Sequence, residues 1–191
     1  SSSSALSSGN TSPSKTLEEM ETIECLQPET GKRYWKFHYP VQLGSNYGIT
    51  DASRAGPVID EDLVFTVGVR GDLHCFDLKS GKVIWKKNLD QDYGPAPLFF
   101  GRGSCPLIYG DQLIVNVGGQ LCVASFNKRT GELLWSTEHN WNASYASPVP
   151  ATLHGNKRIL IFAGGMVSPP TGGLLSIDPK NGALDAAFPW R

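Results

Sequence analysis

A glycine followed four positions later by a tryptophan occurs three times at a fixed interval of 50 residues: Gly31 and Trp35, Gly81 and Trp85, Gly131 and Trp135. A fourth copy begins at Asp178 and reaches Gly182, 51 residues after Gly131. It carries Ala186 where the tryptophan falls due and offers Phe188 and Trp190 instead. A second signal runs in phase with the first. Gly56-Pro57-Val58, Cys105-Pro106-Leu107 and Ser147-Pro148-Val149 each join a small residue, a proline and an aliphatic. Two motifs in phase make coincidence a poor explanation, and a period of this length, filled with short β-prone runs and glycine turns, is the signature of propeller blades.

The second unit shows the plan. Apolar runs over 58–59, 63–67, 73–77 and 83–88 predict four short strands, separated by Asp60-Glu61-Asp62, Gly68-Val69-Arg70-Gly71 and Asp77-Leu78-Lys79-Ser80-Gly81. These clusters suit tight or positive-φ turns. The third unit repeats it over 113–117, 121–126 and 133–137. The expected fold is all-β: four-stranded antiparallel blades, with a partial blade at 20–40, blades at 56–90 and 104–138, and a degenerate blade at 145–191. Residues 1–16, rich in serine with Gly, Pro and Thr, cannot offset their ordering entropy by burial and read as a disordered tail or linker. Each repeated glycine supplies the hairpin conformation, and each tryptophan on the strand that follows points at a neighbouring blade as a wedge. Gly31, Trp35, Asp77, Gly81, Trp85, Gly131, Trp135, Asp178 and Gly182 are therefore read as structural.

Composition narrows function by exclusion. A net charge of -1 without a long Lys/Arg run lacks the electrostatic footprint of a nucleic-acid binder. No apolar stretch approaches the roughly 18 residues of a membrane helix. The sequence contains no Gly-x-Ser-x-Gly elbow, phosphate loop or His-Glu-x-x-His. His38, His74, His139 and His154 lack metal-ligand spacing, and no Cys-x-x-Cys is present. No catalytic residue and no metal site is assigned.

The run Cys75-Phe76-Asp77-Leu78-Lys79-Ser80-Gly81-Lys82-Val83-Ile84-Trp85 resembles the tryptophan-docking motif of the quinoprotein-like (PQQ-like repeat) β-propellers, and the resemblance covers roughly residues 20–191. That family includes pyrroloquinoline-quinone (PQQ)-dependent alcohol and sugar dehydrogenases and a non-enzymatic outer-membrane assembly lipoprotein. The resemblance implies a ring of seven or eight blades, of which this chain supplies about three to four, and a cell-envelope, periplasmic or secreted location. It implies a non-catalytic binding or assembly scaffold, with a fragment of a PQQ-dependent dehydrogenase as the alternative. The sequence lacks the adjacent Cys-Cys pair of those enzymes, and their calcium-binding acid and catalytic Asp match no position here. No cofactor is evident, and PQQ with Ca²⁺ belongs only to the alternative.

Cys25 and Cys75 share one repeat position, filled by Ser125 and Ser176 elsewhere, and should lie too far apart for a disulfide. Cys105 shares the slot of Gly56 and Ser147 and reads as a small buried residue; Cys122 has no parallel. Asn10-Thr11-Ser12 and Asn142-Ala143-Ser144 match the glycosylation sequon. Alternating connections place the loops 41–56, 68–71, 90–103, 118–120, 140–146 and 163–173 on one face of the blades. There Tyr47, Asp51, Arg54, Arg70, Asp92, Tyr93, Arg102, Trp141 and Tyr145 combine aromatics with both charges, a mixture suited to a protein partner or a small polar ligand. The long glycine-rich loop 164–173 is a further candidate for function.

Overall fold

A computed structural model describes residues 19–41, 53–165 and 171–190. Among them the strands form four antiparallel sheets. The first pairs β1 (Met20–Leu26) with β2 (Arg33–Pro40). The second runs in order through β3 (Val58–Asp60), β4 (Leu63–Val67), β5 (Asp72–Asp77) and β6 (Val83–Asn88). The third comprises β7 (Leu107–Tyr109), β8 (Gln112–Asn116), β9 (Val123–Asn127) and β10 (Leu133–Thr137). The fourth comprises β11 (Val149–Leu153), β12 (Asn156–Gly164), β13 (Gly172–Ile177) and β14 (Leu184–Pro189). These are propeller blades. Several predicted strands match to the residue, including 63–67, 83–88 and 133–137.

The repeated hairpin is built from its own side chains. In the second blade Asp77 Oδ1 accepts hydrogen bonds from the Ser80 backbone N–H and hydroxyl, and Gly81 N–H donates to Asp77 O at 2.9 Å. The Ser80 hydroxyl holds the Asp77 carboxyl below its ordinary range, followed by the Ser80 backbone N–H. Asn127 plays the same part for Arg129 and Thr130, and Asp178 for Lys180. Gly31, Gly81, Gly131 and Gly182 all have φ between 69° and 74°, and beside each turn the pairing register slips, at Cys25/Leu26, Cys75/Phe76, Leu133/Trp135 and Ser176/Ile177. A bulge of this kind re-aims the strand behind it. The strand concerned carries the tryptophan.

Each tryptophan then lands on the glycine turn of the following blade. A Cβ at position 81 would lie 2.5 Å from the Trp35 ring and one at 131 would lie 2.7 Å from Trp85; at 182 it would overlap Trp135. The indole N–H of Trp35 donates to Leu78 O at 2.8 Å, that of Trp85 to Lys128 O at 3.0 Å and that of Trp135 to Pro179 O at 3.1 Å. The glycine therefore serves twice, as hairpin corner and as the floor of an aromatic seat.

Because the second and third blades are covered on both sides, their middle strands β4, β5, β8 and β9 are buried almost without interruption instead of alternating. In β8, Leu113 and Val115 join Phe65, Leu73 and Phe126 in the seam between the second and third blades, while Ile114 turns the other way to meet Ile159, Ile161 and Leu175. At the opposite sheet edge, where β3 and β7 touch, Gly56 N–H donates to Cys105 Sγ at 3.1 Å and Cys105 N–H to Ser147 Oγ at 2.9 Å. The small-residue slot is thus a blade-to-blade ladder. Cys105 is half-buried there, not buried as expected, because its sulfur faces the neighbouring backbone across an open edge.

Three further differences have local causes. The degenerate repeat is a complete four-stranded blade in which Ala186 pairs with Ser176, as Trp135 pairs with Ser125. Of the two aromatics that follow, Phe188 pairs with Leu174 and Trp190 packs toward Phe162 with ring centroids 5.7 Å apart. Residues 121 and 122 are not strand, because Gly119–Leu121 form a 3-10 turn and Cys122 takes φ 43°. The expected loop 90–103 begins with a short helix, α1 (Leu89–Tyr93), whose first turn is capped by Asn88 Oδ1 accepting from Gln91 N–H at 2.9 Å. The proposed tail 1–16, with Asn10, and the centre of the loop 164–173 lie outside the described residues.

Candidate binding face

Tyr47 and Asp51 lie outside the described residues. The other seven named loop residues fall into three groups.

Arg54, Tyr145 and the neighbouring Phe100 converge. The Arg54 guanidinium stacks over the Phe100 ring, 5.2 Å from its centroid, and donates to Phe100 O. The Tyr145 hydroxyl accepts from Phe100 N–H at 3.0 Å. Gly103 lets them close up, since a Cβ there would meet both Arg54 and Tyr145 at 3.3 Å. Phe99 stands edge-on to Phe100 with centroids 4.8 Å apart and is 42% exposed. A guanidinium held over an aromatic ring, beside a partly exposed phenyl ring, is an amphipathic surface suited to a protein contact. Phe99 and Phe100 were not singled out from the sequence; their adjacency inside a polar connection was the available signal.

Arg70, Asp92 and Tyr93 gather around α1. Asn88 N–H donates to Asp92 Oδ2 at 3.2 Å and the Asn88 side chain donates to Arg70 O at 3.3 Å. Tyr93 packs toward Phe126 at 6.3 Å, and burial, then the Asp92 charge, pushes its hydroxyl pKa up.

Arg102 and Trp141 go inward. Arg102 is 5% exposed; its Nε donates to Asp90 Oδ1 at 2.7 Å, and Nη1 and Nη2 donate to Asn116 O and Val117 O, each at 2.9 Å. It staples α1 to the end of β8, with its fork occupied by protein acceptors. Trp141 belongs to the apolar seam between the third and fourth blades, edge-on to His139 at 4.3 Å. Trp141 N–H donates to His139 Nδ1, and burial lowers the His139 pKa. Both residues were expected on the open face, and both are buried because the connections fold down into the seams.

Beside Trp141, an open depression of about 730 Å³ is lined among the described residues by Gly119, Leu121, Glu138, His139 and Asn140. Asn142 of the second sequon is 7% exposed and donates to Ala96 O at 2.8 Å, so its amide serves the fold. The four cysteines are unpaired. Burial pushes the Cys75 and Cys122 thiols up to about 12, which leaves neither poised as a nucleophile. A quinone site would need a carboxylate seat for calcium. Asp90 is committed to Arg102 and Asp92 to the start of α1, and no group of three His, Cys, Asp or Glu converges among the described residues. No described helix is long and apolar enough to cross a membrane.

Comparison with known proteins places this geometry in context. The family model described as outer membrane protein assembly factor BamB matches residues 19–187. No curated protein matches the chain. Among solved structures, BamB from Moraxella catarrhalis aligns with a TM-score of 0.54 at 17% identity, over 87% of this chain and 42% of that one. The quinohemoprotein alcohol dehydrogenase ADHIIG from Pseudomonas putida HK5 gives 0.54 at 18% identity, over 73% of this chain and 21% of that one. The computationally designed protein Ika8 gives 0.51 at 13% identity, over 85% and 42%. The chain spans less than half the length of each, and at these identities the likeness concerns the fold.

Proposed function

The chain belongs to the family of the outer membrane protein assembly factor BamB, and from that premise we propose that it acts as a non-catalytic propeller scaffold that binds a protein partner in the cell envelope. The observation that carries this reading is the Arg54, Phe99, Phe100 and Tyr145 cluster, an aromatic and cationic surface closed up beside Gly103 and tied by hydrogen bonds to the Phe100 backbone. Rigid aromatic and arginine anchors are the residues that dominate protein–protein affinity. The blades supply the frame, and the connections above them supply the contact. The partner class follows from the family: a component of outer-membrane protein assembly.

The test replaces Arg54 and Phe99 together with alanine in the complete protein and measures its binding to the purified assembly components of its source organism. Loss of about 2 kcal/mol or more, the usual mark of an anchor, with an unchanged unfolding midpoint, is the expected result. Unchanged binding would remove this face. Dye-linked alcohol oxidation by the complete protein after addition of PQQ and Ca²⁺ would favour the dehydrogenase alternative instead.

A further inference from the structure

Ser53, Arg102 and Ser144 occupy one repeat position, three residues ahead of Gly56, Cys105 and Ser147. Each donates to a carbonyl at one repeat-equivalent place on the second strand of its blade. The Ser53 hydroxyl reaches Val67 O at 2.9 Å, Arg102 Nη1 reaches Asn116 O at 2.9 Å, and the Ser144 hydroxyl reaches Phe162 O. The pairing of first and second strands puts Val67, Asn116 and Phe162 in register. A serine suffices for that bond in the second and fourth blades, so the arginine of the third asks for a further reason.

Its extra length reaches a carboxylate. Arg102 Nε and Nη2 lie 2.7 and 2.6 Å from Asp90 Oδ1. Asp90 stands in α1, near the start of the connection, and Arg102 at its end, so the pair joins the two ends of one loop. That loop leaves β6 at Asn88, whereas the connection ending at Ser144 leaves β10 at Thr137 and is about half as long. The longer loop carries Phe99 and Phe100. Its neck makes room for the pair: a Cβ on Gly71, at φ 82°, would lie 2.8 Å from Asp90 Oδ1, and Arg102 N–H donates to Val69 O at 3.0 Å. Its interior is nearly filled, with about 20 Å³ left beside Asp90, Leu98 and Arg102, as in compact loops packed by their own side chains. The next connection holds its outer part, where Asn142 Nδ2 donates to Ala96 O at 2.8 Å and the Tyr145 hydroxyl accepts from Phe100 N–H.

We propose that the Asp90–Arg102 pair is a clamp across the neck of this loop, and that both side chains are positioning residues that set Phe99 and Phe100 for contact with a protein partner. The partner role rests on the scaffold reading; the clamp rests on the repeat comparison and the neck geometry. The Asp90 side chain is 39% exposed, so the pair adds little to global stability. Its effect is local. A loop ordered before the encounter has less freedom to lose on binding.

The test compares Asp90→Ala, Asp90→Glu and Arg102→Ser in the complete protein. In Asp90→Ala, backbone amide exchange over 95–101 should quicken about three- to fivefold, as for loss of one partly exposed ion pair, while exchange over β8 and the urea midpoint stay at wild-type values. Arg102→Ser should quicken the same amides at least as much, and Asp90→Glu should restore them. Affinity for the outer-membrane assembly component that the wild-type protein binds should fall by a similar factor in Asp90→Ala and return in Asp90→Glu. Unchanged exchange over 95–101 in Asp90→Ala, or faster exchange with undiminished affinity, would overturn the proposal. So would equal quickening across β8, which would make the pair a support of the whole blade and not of the loop. If the wild-type protein binds none of the assembly components, the scaffold reading fails and the partner role with it, whereas the exchange result still decides whether the clamp exists.

Discussion

Replacing Gly131 with alanine tests the seat on which the blade geometry rests. Two costs arise from the structure. Gly131 has φ 73°, and an L-residue held in the left-handed region pays about 1–2 kcal/mol. The new Cβ would also lie 2.7 Å from the Trp85 ring, so the indole must move. Overpacking of this kind costs about 1–3 kcal/mol, and loss of the Trp85 hydrogen bond to Lys128 O at 3.0 Å adds about 0.5–1.5 kcal/mol. Gly31 provides the matched control: its φ is 69° and no described atom lies within 4 Å of its would-be Cβ. Urea denaturation of the full chain should therefore show Gly31→Ala losing about 1–2 kcal/mol and Gly131→Ala losing about 2–4 kcal/mol more than that. In a Trp85→Leu background the excess should shrink, since a smaller side chain leaves room for the methyl. Equal losses at 31 and 131, or an excess that persists without the indole, would refute the seat as the cause.

Other consequences are more local. Arg102→Leu should destabilise the chain by about 2–4 kcal/mol, mainly because it strands two buried carbonyls, with the pair to the partly exposed Asp90 adding little; a loss under about 1 kcal/mol by urea titration would contradict the staple. Cys75 and Cys122 should be silent to Ellman's reagent at pH 8 in the native protein and react on unfolding, their folded pKa values lying near 12. Those same thiols bind protons more tightly folded than unfolded, where the ordinary value is 9.0, so their contribution is complete below about pH 9 and falls as pH rises toward 12. A urea midpoint that is flat between pH 9 and 11 would count against that. If the chain is secreted from a glycosylating host, its folded fraction should carry Asn142 unmodified by mass spectrometry, as a buried amide bonded to Ala96 O requires.

The blade plan was legible because it is written locally. An Asp or Asn, a glycine and a tryptophan at fixed offsets determine hairpin, bulge and wedge within one turn, and the 50-residue period repeats them. The helix α1 was also readable in principle, from Asn88 as cap and Gly94 as stop with φ 56°, but five residues inside a connection give too little periodicity to announce it. The binding face was less legible for a different reason. Whether Arg102 points to solvent or into a seam depends on acceptors at Asn116 and Val117, more than ten residues away on another blade. Charge pattern alone reads such an arginine as solvated. Trp141 misleads in the same way, since an aromatic in a connection can equally close a seam or greet a partner, and only the packing against Ile159 and Ile161 decides. The separate part that Arg102 plays becomes visible only once register aligns Asn116 with Val67 and Phe162, whose carbonyls are held by serines.

The scaffold reading is tested most directly by site-specific photo-crosslinking in the complete protein, with the crosslinker placed at position 99 on the connection face and, separately, at position 79 on the exposed hairpin turn of the opposite face. The account predicts a single dominant adduct from position 99, identified by mass spectrometry as a component of outer-membrane protein assembly, and none from position 79. An adduct with that component from position 79 alone, or equal yields from both, would contradict it.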